Sequence, residues 1–406
     1  MRKHRLVIAG AAVLALSLTA TACGTRSESG GSGSGGDSTK VATIGVISPL
    51  TGDLAPLGLG IKNSVDLAVK QANEKKTIPG WTLKVRAEDD EAKPDTGRNA
   101  ATSLTSDDTV VGVVGPLNSS VGQTVQPVLD SSKIVEVSPA NTGVSLTKGE
   151  DPNNPKRTYA GYYRTCTTDD VQGPFAARYL YQTAGIKKLA TIHDKKAYGQ
   201  GLVAAFTEEY KKLGGKIVSA QTINPDDSNF GPVISKVKSA GPNAVYYGGE
   251  YPEAGPLSQQ MKAAGLNVPL MGGDGIYDPS YIEQAGKTSE GDLATSVGAP
   301  ADTLDSAKEY VDAYNSGGYK EAYGAYGAYS YDAANAIINA LKTSLADADE
   351  ASAAREATIE AVGKSDFDGA TGHVSFDEFG DATTRVLTVY EVKSGEWQPV
   401  KTDEFN

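Results

Sequence analysis

The sequence predicts an α/β protein whose parallel sheets are covered by helices, and three observations predict it. Short apolar runs of the kind buried on both faces of a parallel sheet recur along the chain, most clearly Val110-Val111-Gly112-Val113-Val114. Between them lie segments with helical spacing of apolar residues, such as Ile61, Val65, Ala68, Val69 and Ala72. The two kinds of segment alternate as βαβα over a length too great for one comfortable sheet, so two halves are expected. The motif DPNNP, around Pro152 to Pro155, suggests a surface loop between them.

Taken in order, residues 41–48 form a strand, 61–72 a helix, 83–87 a strand and 95–104 a helix. The run at 110–114 is the next strand, with a helix over 121–129 and a strand at 134–137. Further strands are expected at 189–193, 216–221, 244–248 and 268–271, separated by helices at 201–213, 230–239 and 253–264. Beyond Asp292 the alternation loosens into helices over 302–315, 323–345 and 352–362, then strands at 374–376 and 385–392. Asp377-Glu378-Phe379-Gly380-Asp381 reads as a solvated turn, its spacing not being that of an EF-hand loop.

The chain begins with a secretory signal, residues 1–22. Arg2, Lys3 and Arg5 make the positive region, and residues 6–20 are an apolar core too short to span a membrane. Ala20-Thr21-Ala22-Cys23-Gly24 resembles a bacterial lipobox, with alanine at position 20 where leucine is commoner. That resemblance implies cleavage before Cys23 and lipidation of its thiol. Residues 23–39 then form a Gly/Ser tether with a reach on the order of 20 Å. Removing three basic residues takes the formal net charge from −12 to −15, which argues against nucleic acid and against an anionic membrane surface. Only Cys166 remains after Cys23, so no internal disulfide is expected, and Cys166 is read as inert and partly buried.

Residues 115–142, GPLNSSVGQTVQPVLDSSKIVEVSPANT, place two polar loops after the carboxyl ends of neighbouring strands, where ligands bind in open α/β sheets. Asn118, Ser119 and Ser120 stand at a helix start, where unpaired amides and the helix dipole favour a small anion such as a carboxylate. Two plainer duties stay open: Ser119 as a helix cap and Thr142 as a turn residue. Signals for catalysis are poor. The chain beyond Cys23 has two histidines, His193 and His373, and no HExxH, CxxC, GxSxG or Walker loop. Gly58-Leu59-Gly60 lacks the third glycine of a dinucleotide fingerprint, and Asp89, Asp90 and Glu91 read as a solvated loop end. No cofactor and no metal are expected.

Seven segments, in order, resemble one family: IGVISPLTGDLAPLGLG, GPLNSS, SPANTG, HDKKAYGQG, VYYGGEYPEAG, LMGGDG and SFDEFGDAT. It is the branched-chain amino acid binding proteins of ABC importers, and the match runs from about Val41 to Val392. The resemblance implies the two-lobed type I periplasmic-binding-protein fold with a three-stranded hinge. Lobe 1 is expected over 40–165 plus 295–384, and lobe 2 over 166–294 plus 385–406. Crossovers are expected near 163–167, 293–298 and 383–388, with the ligand in the cleft between lobes.

Carried over residue by residue, the resemblance gives Ser119 and Thr142 to the ligand's α-carboxylate and the backbone of Ala140 to its polar end. Asp274 matches the acid that pairs with the α-ammonium, where the family often has glutamate. The glycines of Gly272-Gly273-Asp274-Gly275 are expected to turn the backbone so that this carboxylate reaches the cleft. Tyr198 and Tyr326 match aromatic walls from the second and first lobe. Three departures stand out. Leu57 and Glu250 occupy positions where leucine-binding members have tyrosine, and Ala92 and Asn118 stand where the family has a disulfide. An unpaired buried carboxylate is costly. Glu250 therefore either points to solvent or meets a polar or cationic group of the ligand, and leucine specificity is not carried over.

The function so implied is a lipid-anchored, monomeric solute-binding protein that delivers an amino acid to an ABC permease and its ATPase on the outer face of the cytoplasmic membrane. The alternatives weighed are a urea- or short-amide-binding protein of the same fold, a ligand-binding sensor, and a hydrolase. The first lacks a use for Ser119, Thr142 and Asp274 together. The second would need a membrane span and a signalling module after the lobes, and the third a nucleophile–base pair.

Overall fold

The computed structural model describes residues 39–151 and 153–405. The signal segment, Cys23 and all of the tether but Thr39 lie outside the described residues. No described helix is long and apolar enough to cross a membrane.

Five strands build a first sheet: β1 (Lys40–Ser48), β2 (Trp81–Asp89), β3 (Val110–Val114), β4 (Val135–Ser138) and β5 (Tyr162–Arg164). Their order is β2-β1-β3-β4-β5, and every pairing is parallel. Their continuous burial explains the apolar runs: all five residues of β3 are inaccessible from either face. A second sheet starts with β6 (Lys188–His193), β7 (Lys216–Thr222), β8 (Val245–Gly248), β9 (Leu270–Gly272) and β10 (Leu293–Ser296). After a separate hairpin of β11 (Asp366–Gly369) and β12 (Gly372–Ser375), β13 (Val386–Lys393) and β14 (Glu396–Glu404) complete it. Its order is β14-β13-β10-β9-β8-β6-β7, with β13 antiparallel to β10 and β14 antiparallel to β13.

Helices cover both sheets. They are α1 (Ala55–Glu74), α2 (Pro94–Thr105), α3 (Ser119–Ser131), α4 (Ser145–Lys148), α5 (Asp169–Arg178), α6 (Ala197–Lys212), α7 (Gly231–Ala240), α8 (Tyr251–Ala263), α9 (Pro279–Ala285), α10 (Lys308–Ser316), α11 (Gly327–Ser344) and α12 (Arg355–Val362). Pro56 sits in the first turn of α1, where its missing N–H costs nothing. The same helix buries Leu57, Ile61, Val65, Ala68 and Ala72 on one face. Helices α11 and α12 pack back on the first sheet beside α1, although the second sheet precedes them in sequence. The chain therefore passes between the sheet layers after β5, after β10 and before β13. These are parallel-dominant sheets flanked by helices, as the resemblance implies.

Several expectations need correction. Helix α5 and strands β5, β10, β11 and β14 are not anticipated from periodicity. Helix α5 carries Gly173 and Pro174, poor helix formers, yet Gly173 is where the backbone of α6 comes close: a Cβ there would meet the Phe206 nitrogen at 2.7 Å. Strand β14 is an edge strand of polar residues around Pro399, so it lacks an apolar signature. Asp90 is not solvated but fully buried at the end of β2. It accepts the Ala92 N–H at 2.8 Å, and burial pushes its carboxyl up to about 7. Asp381, in the turn read as solvated, is buried against Arg164. Cys166 is wholly rather than partly buried.

Candidate functional site

The site forms where the carboxyl ends of the two sheets face one another, and the second sheet supplies two acids there. Strands β8 and β9 are parallel neighbours, so the segments that follow them leave the same edge side by side. Glu250 follows β8 after Gly249, whose φ of +150° suits only glycine and where a Cβ would meet the Tyr247 hydroxyl at 2.3 Å. Asp274 follows β9. Its flanking glycines do not take the left-handed conformation expected of a sharp turn. They are glycines because Tyr198 lies against them: a Cβ on Gly273 would meet its hydroxyl at 2.4 Å, and one on Gly275 its ring at 2.9 Å.

Asp274 is buried and held by neutral donors alone. Its Oδ1 accepts from Gln172 Nε2 at 2.9 Å and from the Tyr198 hydroxyl at 2.8 Å, and its Oδ2 accepts from the Tyr326 hydroxyl at 2.7 Å. Burial raises its carboxyl, and the three donors only partly counter that. Among the described residues no Lys, Arg or His pairs with it. Gln172 also fixes the backbone, accepting the Asp274 N–H at 2.8 Å and the Thr295 hydroxyl at 2.7 Å. The two tyrosines thus act as donors to Asp274.

Glu250 is also buried but its charge is met. Its Oε2 lies 2.7 Å from Lys196 Nζ, and its Oε1 accepts from Asn118 Nδ2 at 2.7 Å. Of the two options left open by the sequence, the structure rules out the first: Glu250 does not face solvent. Asn118 stands at the N-cap of α3, but its side chain turns to Glu250 rather than to the helix amides.

Facing the two acids is the loop after β4. Ser119 is the first residue of α3 and does not cap it; its Oγ accepts the Gly143 N–H at 3.2 Å, which leaves its own hydroxyl proton to donate. Arg164, fully buried, pulls this loop into place through the carbonyls of Asn141 and Gly143 at 2.7 and 2.8 Å. Its Nε meets Asp381 Oδ1 at 2.7 Å. Burial would raise Asp381, but the Arg164 and Lys148 charges outweigh it and hold that carboxyl below its usual range. The Thr142 hydroxyl is buried and lies near the Asp169 carboxylate without making a good hydrogen bond to it. Burial, reinforced by the nearby Asp274 charge, pushes Asp169 well above the carboxylate range and favours its neutral form.

One cavity of about 20 Å³, room for a single water, lies at the centre. Leu57, Ser119, Ala140, Tyr198, Glu250, Asp274 and Tyr326 all line it, joined by Leu117, Asn118 and Gly275. Thr142 stands outside the lining. Sequence reasoning missed Gln172 and Lys196 as parts of the site. Gln172 lies on the unanticipated helix α5, and Lys196 looks like any surface lysine in HDKKAYGQG. The Asn118–Glu250 and Tyr326–Asp274 bonds cross between elements of the two sheet layers, so the cleft is shut by side chains.

This geometry defines a class: a two-layer α/β clamp with a small polar cavity between its halves. The chain belongs to the Periplasmic binding protein family, whose model matches residues 41–396. It is 32% identical over 361 residues to Leu/Ile/Val-binding protein homolog 2 of Brucella abortus, covering 89% of this chain and 93% of that protein. Among solved structures it resembles the leucine binding protein LivK of Thermotoga maritima, with a TM-score of 0.79 and 27% identity over 89% of this chain and 99% of that one. It also resembles the branched-chain amino acid transporter substrate binding protein LivJ of Streptococcus pneumoniae, solved in complex with isoleucine. There the TM-score is 0.80 and the identity 25%, over 90% of this chain and 100% of that one. These relatives are binding proteins rather than enzymes, and periplasmic binding proteins work outside the cytoplasm.

Proposed function

We propose that the protein is the substrate-binding component of an ABC importer and binds an α-amino acid with a branched aliphatic side chain between its two lobes. The observation that carries this is Asp274. A buried carboxylate with three neutral donors and no cation of its own is ready for a ligand ammonium. The Ser119 hydroxyl, free to donate, supplies the carboxylate end, and the buried Thr142 hydroxyl is without a good partner of its own. Leu57 and Leu117 offer apolar contact to a side chain. Urea or a short amide would leave the Asp274 charge unbalanced, which disfavours that alternative. The likeness to the Leu/Ile/Val-binding protein homolog and to LivJ in complex with isoleucine supports a branched-chain ligand.

Binding in this reading does no chemistry. The ligand bonds both halves at once, in a closed form wider than the single-water cavity that the Asn118–Glu250 and Tyr326–Asp274 bonds shut here, so it shifts the population toward that form, which the permease recognises. Lipidation at Cys23 and the following tether would hold the monomer near that permease and raise its effective concentration there. A thermal-shift screen of the twenty amino acids tests the ligand class. Leucine, isoleucine and valine should raise the melting temperature, since each binds only the folded form; a response to urea or amides alone would refute the reading. Replacing Cys23 by Ala should move the protein from the membrane fraction to the soluble one, and retention on the membrane would refute the anchor.

A further inference from the structure

Two carboxylates line one small cavity, and an aliphatic amino acid brings a single cation. Asp274 takes the α-ammonium in the reading above, on which this inference rests. The second charge, on Glu250, is met from within the chain. Lys196 precedes α6, its backbone N–H donates to Asp194 Oδ1 at 2.9 Å, and its Nζ lies 2.7 Å from Glu250 and 3.9 Å from Asp194. Glu250 lines the cavity and Lys196 does not. Asn118 holds the remaining oxygen.

We propose that Lys196 is the specificity-determining residue that excludes cationic ligands. Its ammonium is paired with the Glu250 carboxylate that a ligand's side-chain ammonium would need, and as part of the same chain it is always present at high effective concentration. Lysine or ornithine entering the cleft would have to displace it, or bury a second cation beside it with Glu250 already paired. An acidic side chain would face Glu250 and Asp274 together. A neutral side chain asks for no countercharge from Glu250, which Lys196 already supplies with one. The pair thereby does the work of an uncharged residue, and removing the lysine alone should turn the pocket into one for diamino acids.

The test is isothermal titration of leucine, ornithine and lysine into the wild-type protein, Lys196→Met, Lys196→Arg and the double variant Lys196→Met with Glu250→Gln. Lys196→Met should bind ornithine or lysine about tenfold or more tighter than wild type does. Lys196→Arg, which keeps the cation, should show no gain, and the double variant should lose it. If Lys196→Met does not fold, Lys196→Gln offers the same loss of charge while keeping a donor to Glu250, and it should show the same gain. A folded Lys196 variant that still binds leucine but gains no affinity for either diamino acid overturns the proposal. So does a gain that survives Glu250→Gln. Failure of the wild-type protein to bind leucine, isoleucine or valine would instead sink the parent reading, and this inference with it.

Discussion

Asp274 and Glu250 leave neighbouring strands at the same edge of one sheet and line the same cavity, yet their charges are handled in opposite ways. Asp274 is surrounded by two phenols and an amide, donors that fix its position without cancelling its charge. Glu250 has an ammonium at 2.7 Å. The difference teaches that a buried acid in a binding cleft is informative only with its partners in view. One that lacks a cation points to the ligand, and one that has a cation points back into the protein.

The largest effect that sharpens this contrast is expected from Asp274→Asn. The amide keeps the volume but loses the charge, so a buried ion pair with the α-ammonium is broken at a cost of about 2–5 kcal/mol. Titration with leucine, isoleucine and valine should show affinity falling by roughly 30- to 4,000-fold for all three alike. A loss confined to one of them would mean that Asp274 meets side chains instead.

Ser119→Ala sets the scale for a contact that involves neither acid. It removes one hydrogen bond to a charged group, worth about 1.5–3 kcal/mol, and should weaken each ligand roughly 10- to 100-fold. The Gly143 N–H also loses its acceptor, so a thermal melt of the free variant separates binding from loop damage.

Acidification offers a graded version of the first experiment. Asp274 sits above its ordinary value in the free protein because it is buried. The bound form needs it ionised, so the free form holds the proton more tightly and affinity must fall as pH falls through that raised value. The decline should begin above the ordinary carboxylate range near about 4, and Asp274→Asn should abolish the part of it that Asp274 causes. Stability of the free protein runs the other way: a carboxyl raised in the fold contributes stability below its unfolded value that is lost as pH rises through the folded one.

The smallest effect belongs to Glu250→Gln. The glutamine keeps an acceptor for Asn118, and Lys196, partly exposed, retains Asp194 at 3.9 Å. Leucine affinity should change by less than about tenfold, or about 1.4 kcal/mol, since Glu250 meets no charged group of that ligand in this reading. A change as large as that of Asp274→Asn would erase the distinction between the two acids.

Much of the fold was legible because burial on both faces writes itself into strands such as β3 as an unbroken apolar run. The strand and helix cores from 41 to 271 fall within or overlap the observed elements. What stayed hidden is held by long-range contact rather than local pattern. Helix α5 is stabilised against α6 despite Gly173 and Pro174, and β14 is a polar edge added to β13. The site shows the same division. Its loops were visible as polar stretches after apolar strands, and its residue roles came from the resemblance. The balance of charge was not visible, because the Lys196–Glu250 pair spans 54 residues and the Asn118–Glu250 bond 132. No window on the sequence joins those positions.

The central claim is that Asp274 awaits an α-ammonium. Titrating the wild-type protein with leucine and with its 2-hydroxy analogue, which keeps the carboxylate and the isobutyl group but replaces the ammonium by a hydroxyl, tests it most directly. The account predicts that the hydroxy acid binds roughly 100-fold or more weakly than leucine, the expected cost of leaving a buried carboxylate without its cation. Equal affinity for the two would contradict it.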